Sequence, residues 1–486
     1  MTSVGRQAPA FGSNCTRRGD LGFCIGVTLL AAALRGFVAL HFAGEPVWDG
    51  HYYHFGAVRL ADGLGYSEDI LRDGVLVWKP WTHYPVGYSF WLSLWYRVFG
   101  SHLWVAPVSN AVVGALTVLA VHRLALPSLG IWRARFAAAC AAFHPGLVLY
   151  TAVVMSEPLA AMLLLVSLWA LKLERPRHLG LILAGALLGA SVLVRPSSLV
   201  ALPLYWFMFE GVWRRRLRTC VALTTLCFAA ILPWTWRNCR RMDGCALVST
   251  NAGWNMAIGA LTENGRFRPL RAADGCPVVT GQVQQDRCWM ARGIAEIRRA
   301  PWRWLGLAPQ KLAQTFDHES FAVEYLREAN PRAWPEPRRI AWRERLTEAH
   351  RWLMALAAFS VVGIAVGRRF WQRREFFVQL GALVSLVSLL VVVFRHEPHP
   401  FYWLILAFVG LWTLPLPGRP NRSGLVGFSV GFVGLTAATH VLFFGDDRYH
   451  LVASPFLCLL AAAALRFVPE PMARRLHQDP QHSGSG

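Results

Sequence analysis

Long apolar runs recur along the chain and are separated by short strings rich in arginine and proline. A run of about 20 apolar residues can cross the hydrocarbon core of a bilayer as an α-helix. The pattern therefore predicts an all-α polytopic membrane protein with about twelve transmembrane helices. The predicted spans are 21–43, 103–125, 134–150, 156–173, 179–194, 198–212, 219–236, 350–366, 376–394, 401–416, 425–443 and 451–467.

The positions of the basic residues predict the orientation of these spans. With a cytoplasmic N-terminus, most arginines fall on the cytoplasmic side, for example Arg17, Arg18 and the cluster 214–218. The short outer turns then hold only Arg195, Arg395 and Arg448. Because cytoplasmic loops are enriched in Lys and Arg, we expect a multi-pass protein of the plasma (inner) membrane.

This orientation divides the chain into five regions. Residues 1–20 form a cytoplasmic tail, and 21–236 form a first transmembrane module that includes an outer loop, 44–102. Residues 237–349 form a second, periplasmic or extracellular loop region, followed by a C-terminal transmembrane module, 350–467, and a cytoplasmic tail, 468–486. Aromatic residues in the first outer loop predict interfacial helices at 51–64 and 86–99.

Composition agrees with a membrane protein, since 55% of the 486 residues are hydrophobic and only 16% are charged. The net charge of +21 would suggest nucleic acid as a partner of a soluble chain. Here the charges follow the membrane topology, and we expect no nucleic-acid binding. Membrane lipids are the expected surroundings.

The second outer loop contains four of the ten cysteines, namely Cys239, Cys245, Cys276 and Cys288. An even number in an oxidising compartment suggests disulfides, with three possible pairings. The local pairs Cys239–Cys245 and Cys276–Cys288 are favoured. Four unpaired thiols are the alternative.

An acidic residue, Asp49, follows the first span and precedes an aromatic stretch. Partial loss of hydration at that depth tends to raise the pKa of a carboxyl group, which suits a general base. The alternative is that Asp49 caps the helix that follows.

Two further charged residues lie at predicted outer helix ends. Glu157, in Ser156-Glu157-Pro158, is either a helix-start carboxylate or a functional acid at the membrane edge. Arg195, before Pro196, could bind a phosphate through its guanidinium group. It could instead form a structural ion pair, for example with Glu157.

Three polar strings complete the candidate site. His83 and Tyr84 begin an aromatic string that continues with Pro85 and Gly87, and Asn251 lies in the Gly- and Asn-rich string 248–259. That string predicts either exposed amides that hold a hydroxyl-rich ligand or an ordinary surface turn. The third string, 445–450, contains Arg448 and Tyr449, and Arg448 either reaches lipid phosphate or binds a substrate phosphate.

Metal-capable side chains occur at 317–319 and at 396–399, where His396 and His399 flank a proline. That spacing is a poor helix-face site. We expect no metal and no cofactor.

In this order, the strings resemble the GT-C superfamily of membrane glycosyltransferases. The branch is that of bacterial protein O-mannosyltransferases and lipid A aminoarabinose transferases. The similarity rests on Asp49, on "YPVGY" at 84–88 and on the later strings "SEPL", "VRPS", "STNAGWNMAIG" and "DDRYHL", and it covers residues 21–316 and 445–467.

The resemblance implies an inverting transferase with a polyprenyl-phosphate-linked sugar as donor and a cell-envelope acceptor, acting on the outer face. It implies Asp49 as the base and Glu157 as a second acid. The substrate-binding residues would be His83, Tyr84, Arg195, Asn251, Arg448 and Tyr449. Thr82 and His83 stand where the aminoarabinose branch has an acid–lysine pair, and Gly50 stands where the mannosyl-protein branch often has a second acid.

A transporter or flippase of a lipid-linked or anionic substrate is the alternative function. Such proteins often contain internal repeats and charges at the membrane midplane. The two halves of this sequence contain no repeat, and its ionisable residues cluster at the predicted outer edge, apart from Arg35.

Overall fold

A computed structural model describes residues 14–173, 176–277, 281–362, 374–414 and 424–465. These residues form nineteen α-helices. The first nine are α1 Asn14–His41, α2 Asp49–Ala61, α3 Val86–Phe99, α4 Val105–Leu129, α5 Ile131–Phe143, α6 Pro145–Leu149, α7 Glu157–Ala170, α8 Arg177–Val194 and α9 Trp213–Arg241. The remaining ten are α10 Ala252–Leu261, α11 Gln282–Arg299, α12 Pro301–Gly306, α13 Ala308–Phe316, α14 Phe321–Ala329, α15 Glu336–Ala358, α16 Arg374–Arg395, α17 Tyr402–Thr413, α18 Gly424–Leu442 and α19 Ser454–Ala464. Residues 1–13 of the predicted N-terminal tail and the whole predicted C-terminal tail lie outside the described residues, while 14–20 belong to α1.

Within the described residues, five helices are long and apolar enough to cross a membrane, and four shorter apolar helices accompany them. The long ones are Gly19–His41, Val105–Leu129, Trp213–Arg241, Phe376–Arg395 and Gly424–Leu442. The short ones are Glu157–Ala170, His178–Val194, Tyr402–Thr413 and Ser454–Ala464. The predicted class, a polytopic helical membrane protein, is confirmed, while the number of spans stays a prediction.

Three predicted spans differ in detail from the structure. The span at 134–150 is interrupted at His144, because Pro145 starts the separate helix α6. The span at 198–212 is a 3₁₀ helix, Pro196–Met208. In the span at 350–366, residues 350–358 are the last part of α15 and a 3₁₀ turn follows at Phe359–Val361. The last four residues of this span lie outside the described ranges. The predicted region boundaries after 236 and 349 fall inside α9 and α15.

The first loop contains the two expected helices, α2 and α3, and a β-hairpin that was not expected. Strands β1 Ser67–Arg72 and β2 Val75–Pro80 pair antiparallel, with Arg72 opposite Val75. Asp73 and Gly74 form the turn, with φ of 52° and 80°. An Asp-Gly pair is a preferred two-residue hairpin turn, so the sequence carried a signal for this hairpin.

Arg35, in α1, is a buried arginine with only 1% of its surface exposed. Its guanidinium donates to the carbonyl oxygens of Ala141 and Ala142 at 2.7 and 2.8 Å. The carbonyl groups in the last turn of a helix lack intrahelical partners. Because α5 ends at Phe143, the carbonyl groups of Ala141 and Ala142 are in its last turn. The arginine therefore satisfies the end of α5.

Both favoured disulfides, Cys239–Cys245 and Cys276–Cys288, are present in the structure, which confirms the local pairing. The first joins the end of α9 to the segment that leads to α10. The second joins the segment before α11 to α11 itself, where Cys276 packs with Ala257 and Trp289. The disulfides therefore restrain the part of the second loop that lies next to α10.

Helices α8 and α9 approach closely through two glycines of α8. A Cβ atom at Gly189 would lie 2.7 Å from Cβ of Ala230 and 2.7 Å from the carbonyl oxygen of Cys227, and one at Gly185 would overlap Leu226. Small residues spaced four apart allow membrane helices to pack with their backbones close together.

We expect Gly189→Ala to destabilise the protein by about 1–3 kcal/mol, because the added methyl group meets the backbone of α9. Gly26→Ala in α1 is the matched control. Its Cβ would meet nothing within 4 Å, so the change should be neutral or stabilising by up to about 1 kcal/mol. Reversible unfolding in mixed micelles measures both. Equal effects of the two variants would contradict the close packing of α8 on α9.

Candidate active site

A cavity of about 610 Å³ lies where the predicted strings meet. Seven of the eight residues predicted for the site line it, and only Glu157 does not. The seven are Asp49, His83, Tyr84, Arg195, Asn251, Arg448 and Tyr449. They come from the start of α2, the segment before α3, the end of α8, the start of α10 and the 3₁₀ helix Asp447–Val452.

The Asp49 carboxylate lies in this cavity with one partner on each oxygen. Tyr84 Oη donates to Oδ1 at 2.7 Å, and Arg448 Nη1 donates to Oδ2 at 2.6 Å. The residue at the cap position of α2 is Trp48, and Asp49 is the first residue of the helix. The alternative that Asp49 is a helix cap is therefore wrong, because its side chain bonds to Tyr84 and Arg448 and not to the backbone of α2.

Tight packing fixes the start of α2. Trp48 has a φ of 49°, a left-handed conformation that is unfavourable for a bulky residue, and its ring packs against Phe321 and Tyr325 of α14. A Cβ at Gly50 would overlap Oη of Tyr325. Strained backbone persists where the surrounding structure enforces it, often at functional sites.

The pKa of Asp49 differs in direction from the sequence-based expectation. Burial raises the pKa of this carboxyl group, as expected, but the charge of Arg448 and the hydrogen bond from Tyr84 lower it by more. The net pKa lies below the ordinary value of an aspartic acid. Asp49 is thus ionised at neutral pH, and the expectation of a raised pKa was wrong because it omitted the partners.

Arg448 is held by acidic and aromatic neighbours. Its guanidinium carbon lies 4.9 Å from the ring centre of Tyr449 and 5.3 Å from that of Phe321. The adjacent Asp447 accepts hydrogen bonds from the backbone of Ser320 and of Phe321 and from the hydroxyl of Ser320. The 3₁₀ helix that carries Arg448 is therefore anchored to the start of α14.

Arg195 forms the structural ion pair that was the alternative for it. Its Nη1 donates to Oε1 of Glu157 at 2.6 Å, and the Glu157 side chain is fully buried. Arg195 itself keeps 16% of its side chain exposed, on the cavity wall. The expected role of Glu157 as a second catalytic acid is not supported, because Glu157 does not line the cavity. Its position is that of a residue that orients Arg195.

The string around His83 is joined to the string around Asn251. The backbone N–H of Thr250 donates to the carbonyl oxygen of Thr82 at 3.0 Å. His83 lies between the rings of Tyr84 and Trp254, at 5.1 and 5.6 Å between ring centres. Burial lowers the pKa of His83, which favours the neutral imidazole. One aromatic wall of the cavity is built in this way.

Tyr53 and His440 are among the lining residues that sequence reasoning missed. Tyr53 lies one turn after Asp49 on α2, so helical spacing could have identified it. His440 stacks on Tyr449 with ring centres 4.1 Å apart. It comes from the apolar run of α18, where the sequence gives no sign of a site.

Residues 83–236 match the sequence profile of the family described as dolichyl-phosphate-mannose-protein mannosyltransferase. This match supports the resemblance to GT-C membrane glycosyltransferases. The matched part contains His83, Tyr84, Glu157 and Arg195 and is less than half of the chain. No curated protein is significantly similar to this chain in sequence.

Solved structures of two kinds are similar to this chain. AglB, an oligosaccharyltransferase from Archaeoglobus fulgidus in complex with an inhibitory peptide and a dolichol-phosphate, has 12% identity and a TM-score of 0.45, over 93% of this chain and 50% of that one. ArnT from Cupriavidus metallidurans bound to undecaprenyl phosphate has 14% identity and a TM-score of 0.37, over 91% of this chain and 76% of that one. The chain thus spans about half the length of the archaeal enzyme.

The contact between Asp49 and Arg448 predicts a measurable energetic coupling. Removing one partner of a buried pair leaves the other charge uncompensated. Asp49→Asn and Arg448→Gln should therefore be non-additive by about 0.5–3 kcal/mol in a double-mutant cycle of unfolding free energies.

Arg135→Gln is the control for this cycle, because Arg135 pairs with Asp20 at 3.1 Å and does not contact Asp49. Combined with Asp49→Asn, it should be additive within about 0.5 kcal/mol. Additivity of the Asp49 and Arg448 changes as well would mean that their ion pair does not persist.

Proposed function

We propose that the protein is a membrane glycosyltransferase that moves a sugar from a polyprenyl-phosphate donor to a cell-envelope acceptor on the outer face of the membrane. One observation carries the proposal. The Asp49 carboxylate and the guanidinium groups of Arg195 and Arg448 line a single cavity of about 610 Å³. The family match at 83–236 supports the same chemistry.

The arginines suit the leaving group of this reaction. A phosphate that departs from the anomeric carbon gains negative charge, and guanidinium groups already in place stabilise that charge. Arg195 is fixed by Glu157 and cannot follow a moving ligand far. We assign it the role of a fixed phosphate contact.

Asp49 suits the role of the base that takes a proton from the acceptor hydroxyl. A donor phosphate would compete with Asp49 for Arg448. Loss of that partner would remove the largest influence that lowers the pKa of Asp49, so the carboxylate would become more basic when the donor is bound. A single displacement with base and leaving group on opposite sides of the sugar would invert the anomeric centre, by analogy with inverting glycosidases.

Two features support an outer-face location. Only three basic residues fall in the predicted short outer turns, and Arg195 and Arg448 are two of them. The predicted second outer region, 237–349, contains both disulfides, and disulfides persist in oxidising compartments.

Asp49→Asn should lower the rate of sugar transfer by about 10²–10⁴-fold, since the base is lost while the shape of the site is kept. Lipid mass spectrometry of cells that carry the wild type, the variant or a deletion would detect an accumulating polyprenyl-phosphate sugar.

Asp62→Asn, at the exposed end of α2, is the control and should behave like the wild type. An Asp49→Asn variant that is present at normal levels and causes no accumulation would overturn the proposal and favour a transporter or flippase.

The lowered pKa of Asp49 predicts a pH effect with a definite sign. The base must be ionised, so activity should persist until the pH falls below the lowered pKa. Tyr84→Phe removes a hydrogen bond that lowers this pKa, so the acidic limb of kcat/KM should move to higher pH.

Tyr96→Phe serves as the control, since Tyr96 contacts His54 at 2.8 Å and does not line the cavity. It should leave the acidic limb in place. A limb that moves to lower pH in Tyr84→Phe would contradict the assignment of Asp49 as the base.

A further inference from the structure

A second cavity, of about 410 Å³, adjoins the active-site cavity and is here called the outer cavity. Its lining residues come from the predicted second outer region, 237–349, and from 445–447, just before Arg448. The charged residues of the lining are balanced, with three of each sign. They are Arg266, Arg339, Arg343, Glu324, Asp446 and Asp447.

One short segment separates the two cavities. Phe444 and Arg448 line the active-site cavity, whereas residues 445–447 between them line the outer cavity. Phe267 lines both cavities, and its ring centre lies 5.8 Å from that of Phe444. The outer cavity therefore meets the active-site cavity at Phe267.

Asp446 connects the outer cavity to the proposed base through Arg448. Oδ1 of Asp446 accepts from the backbone N–H of Arg448 at 3.1 Å and lies 3.8 Å from Nε of the same residue. The guanidinium of Arg448 also binds Asp49. A single side chain thus lies between the carboxylate of Asp49 and that of Asp446, which keeps 23% of its side chain exposed.

Two of the charged lining residues are already satisfied by the protein. Arg339 donates to both Glu324 and Glu336. Asp447 accepts three hydrogen bonds from residues 320–321. These groups form the walls of the outer cavity and have little capacity left for a ligand.

Other lining groups keep hydrogen-bonding capacity. Arg266 is exposed, and within the described residues only Nε of its guanidinium has a protein partner, Oε1 of Gln314 at 2.6 Å. Arg343 keeps 41% of its side chain exposed. Burial lowers the pKa of His318, which favours the neutral ring that both donates and accepts. Together with Asp446, these groups offer donors as well as acceptors.

A neutral, hydroxyl-rich ligand matches this lining. Each hydroxyl group both donates and accepts hydrogen bonds. The balanced charges give an anion no net attraction, and an apolar group would remove water from the charges without replacing its hydrogen bonds. Phe267, with 58% of its surface exposed, offers an apolar face on which the C–H groups of a sugar ring can lie.

We propose that the outer cavity binds the acceptor of the transfer reaction and that this acceptor is a neutral glycan. The inference rests on the proposed transferase function and adds the chemical class of the acceptor. A hydroxyl oxygen of the glycan forms the bond to the anomeric carbon, and its proton passes to Asp49. The bond between the anomeric carbon and the phosphate oxygen breaks, and its electron pair stays on the phosphate.

The first test separates acceptor binding from donor binding. The double variant Arg266→Gln/Arg343→Gln should lower the rate of transfer by about tenfold or more, because hydrogen bonds to charged groups are lost. Lipid mass spectrometry of cells should then find an accumulating polyprenyl-phosphate sugar, as for Asp49→Asn. Native mass spectrometry with undecaprenyl phosphate as the probe should find the same bound fraction in this double variant and in the wild type.

Arg298→Gln/Arg299→Gln is the matched control, because both arginines are exposed at the end of α11 and line neither cavity. It should behave like the wild type in both measurements. If Arg266→Gln/Arg343→Gln causes no accumulation while Asp49→Asn does, the acceptor site is wrong and the transferase stands. If Asp49→Asn causes none either, the transferase itself is wrong.

The second test addresses the chemistry of the ligand. Saturation-transfer NMR on the full chain in lipid nanodiscs would use maltose, lactose and cellobiose as neutral probes and maltose 1-phosphate as an anionic one. At least one neutral sugar should receive saturation from the wild type and from the matched control, and lose it with Arg266→Gln/Arg343→Gln. The proposal is overturned if no neutral sugar gives a signal, if both double variants keep it, or if maltose 1-phosphate alone responds to the change.

Discussion

The ion pair between Asp49 and Arg448 determines the shape of the candidate site. It joins two residues that are 399 positions apart, one at the start of α2 and one just before the last helix. The cavity wall around the pair also contains residues of α10 and α18. The first loop and the C-terminal module therefore meet at a point where the charge of each group stabilises the other.

The two cavity arginines have different partners, and the difference bears on what each can do. Glu157 is fully buried, so its bond to Arg195 cannot be exchanged for a bond to water or ligand without leaving a buried charge. Asp49 keeps 25% of its side chain exposed in the cavity, so its bond to Arg448 can be exchanged. Arg195 is thus held in place by Glu157, whereas Arg448 can exchange Asp49 for another partner.

The sequence was informative about which residues form the site and less so about how they interact. Asp49, Tyr84 and Arg448 stand in strings whose composition is unusual for spans or ordinary turns, and hydropathy alone placed those strings at helix ends. Which carboxylate pairs with which arginine depends on the packing of helices that are distant in the chain. The periodicity of hydrophobic residues does not indicate these pairs. The pKa of Asp49 was misjudged for the same reason. The burial of Asp49 could be inferred from the neighbouring sequence, but the lowering of its pKa by Arg448 could not.

The other predictions also differ according to whether the feature depends on neighbouring residues or on residues far apart in the chain. The pairing Cys276–Cys288 and the helices α2 and α3 depend on near neighbours and were predicted, and the hairpin turn at Asp73 and Gly74 had a signal that was overlooked. The buried cluster of Glu319, His350 and His450 had no such signal, because its histidines lie 31 and 131 positions further along the chain. Glu319 stood in a metal-capable string, but neighbours in that string are not its partners. Glu319, His350 and His450 become neighbours only because the fold brings three distant segments together.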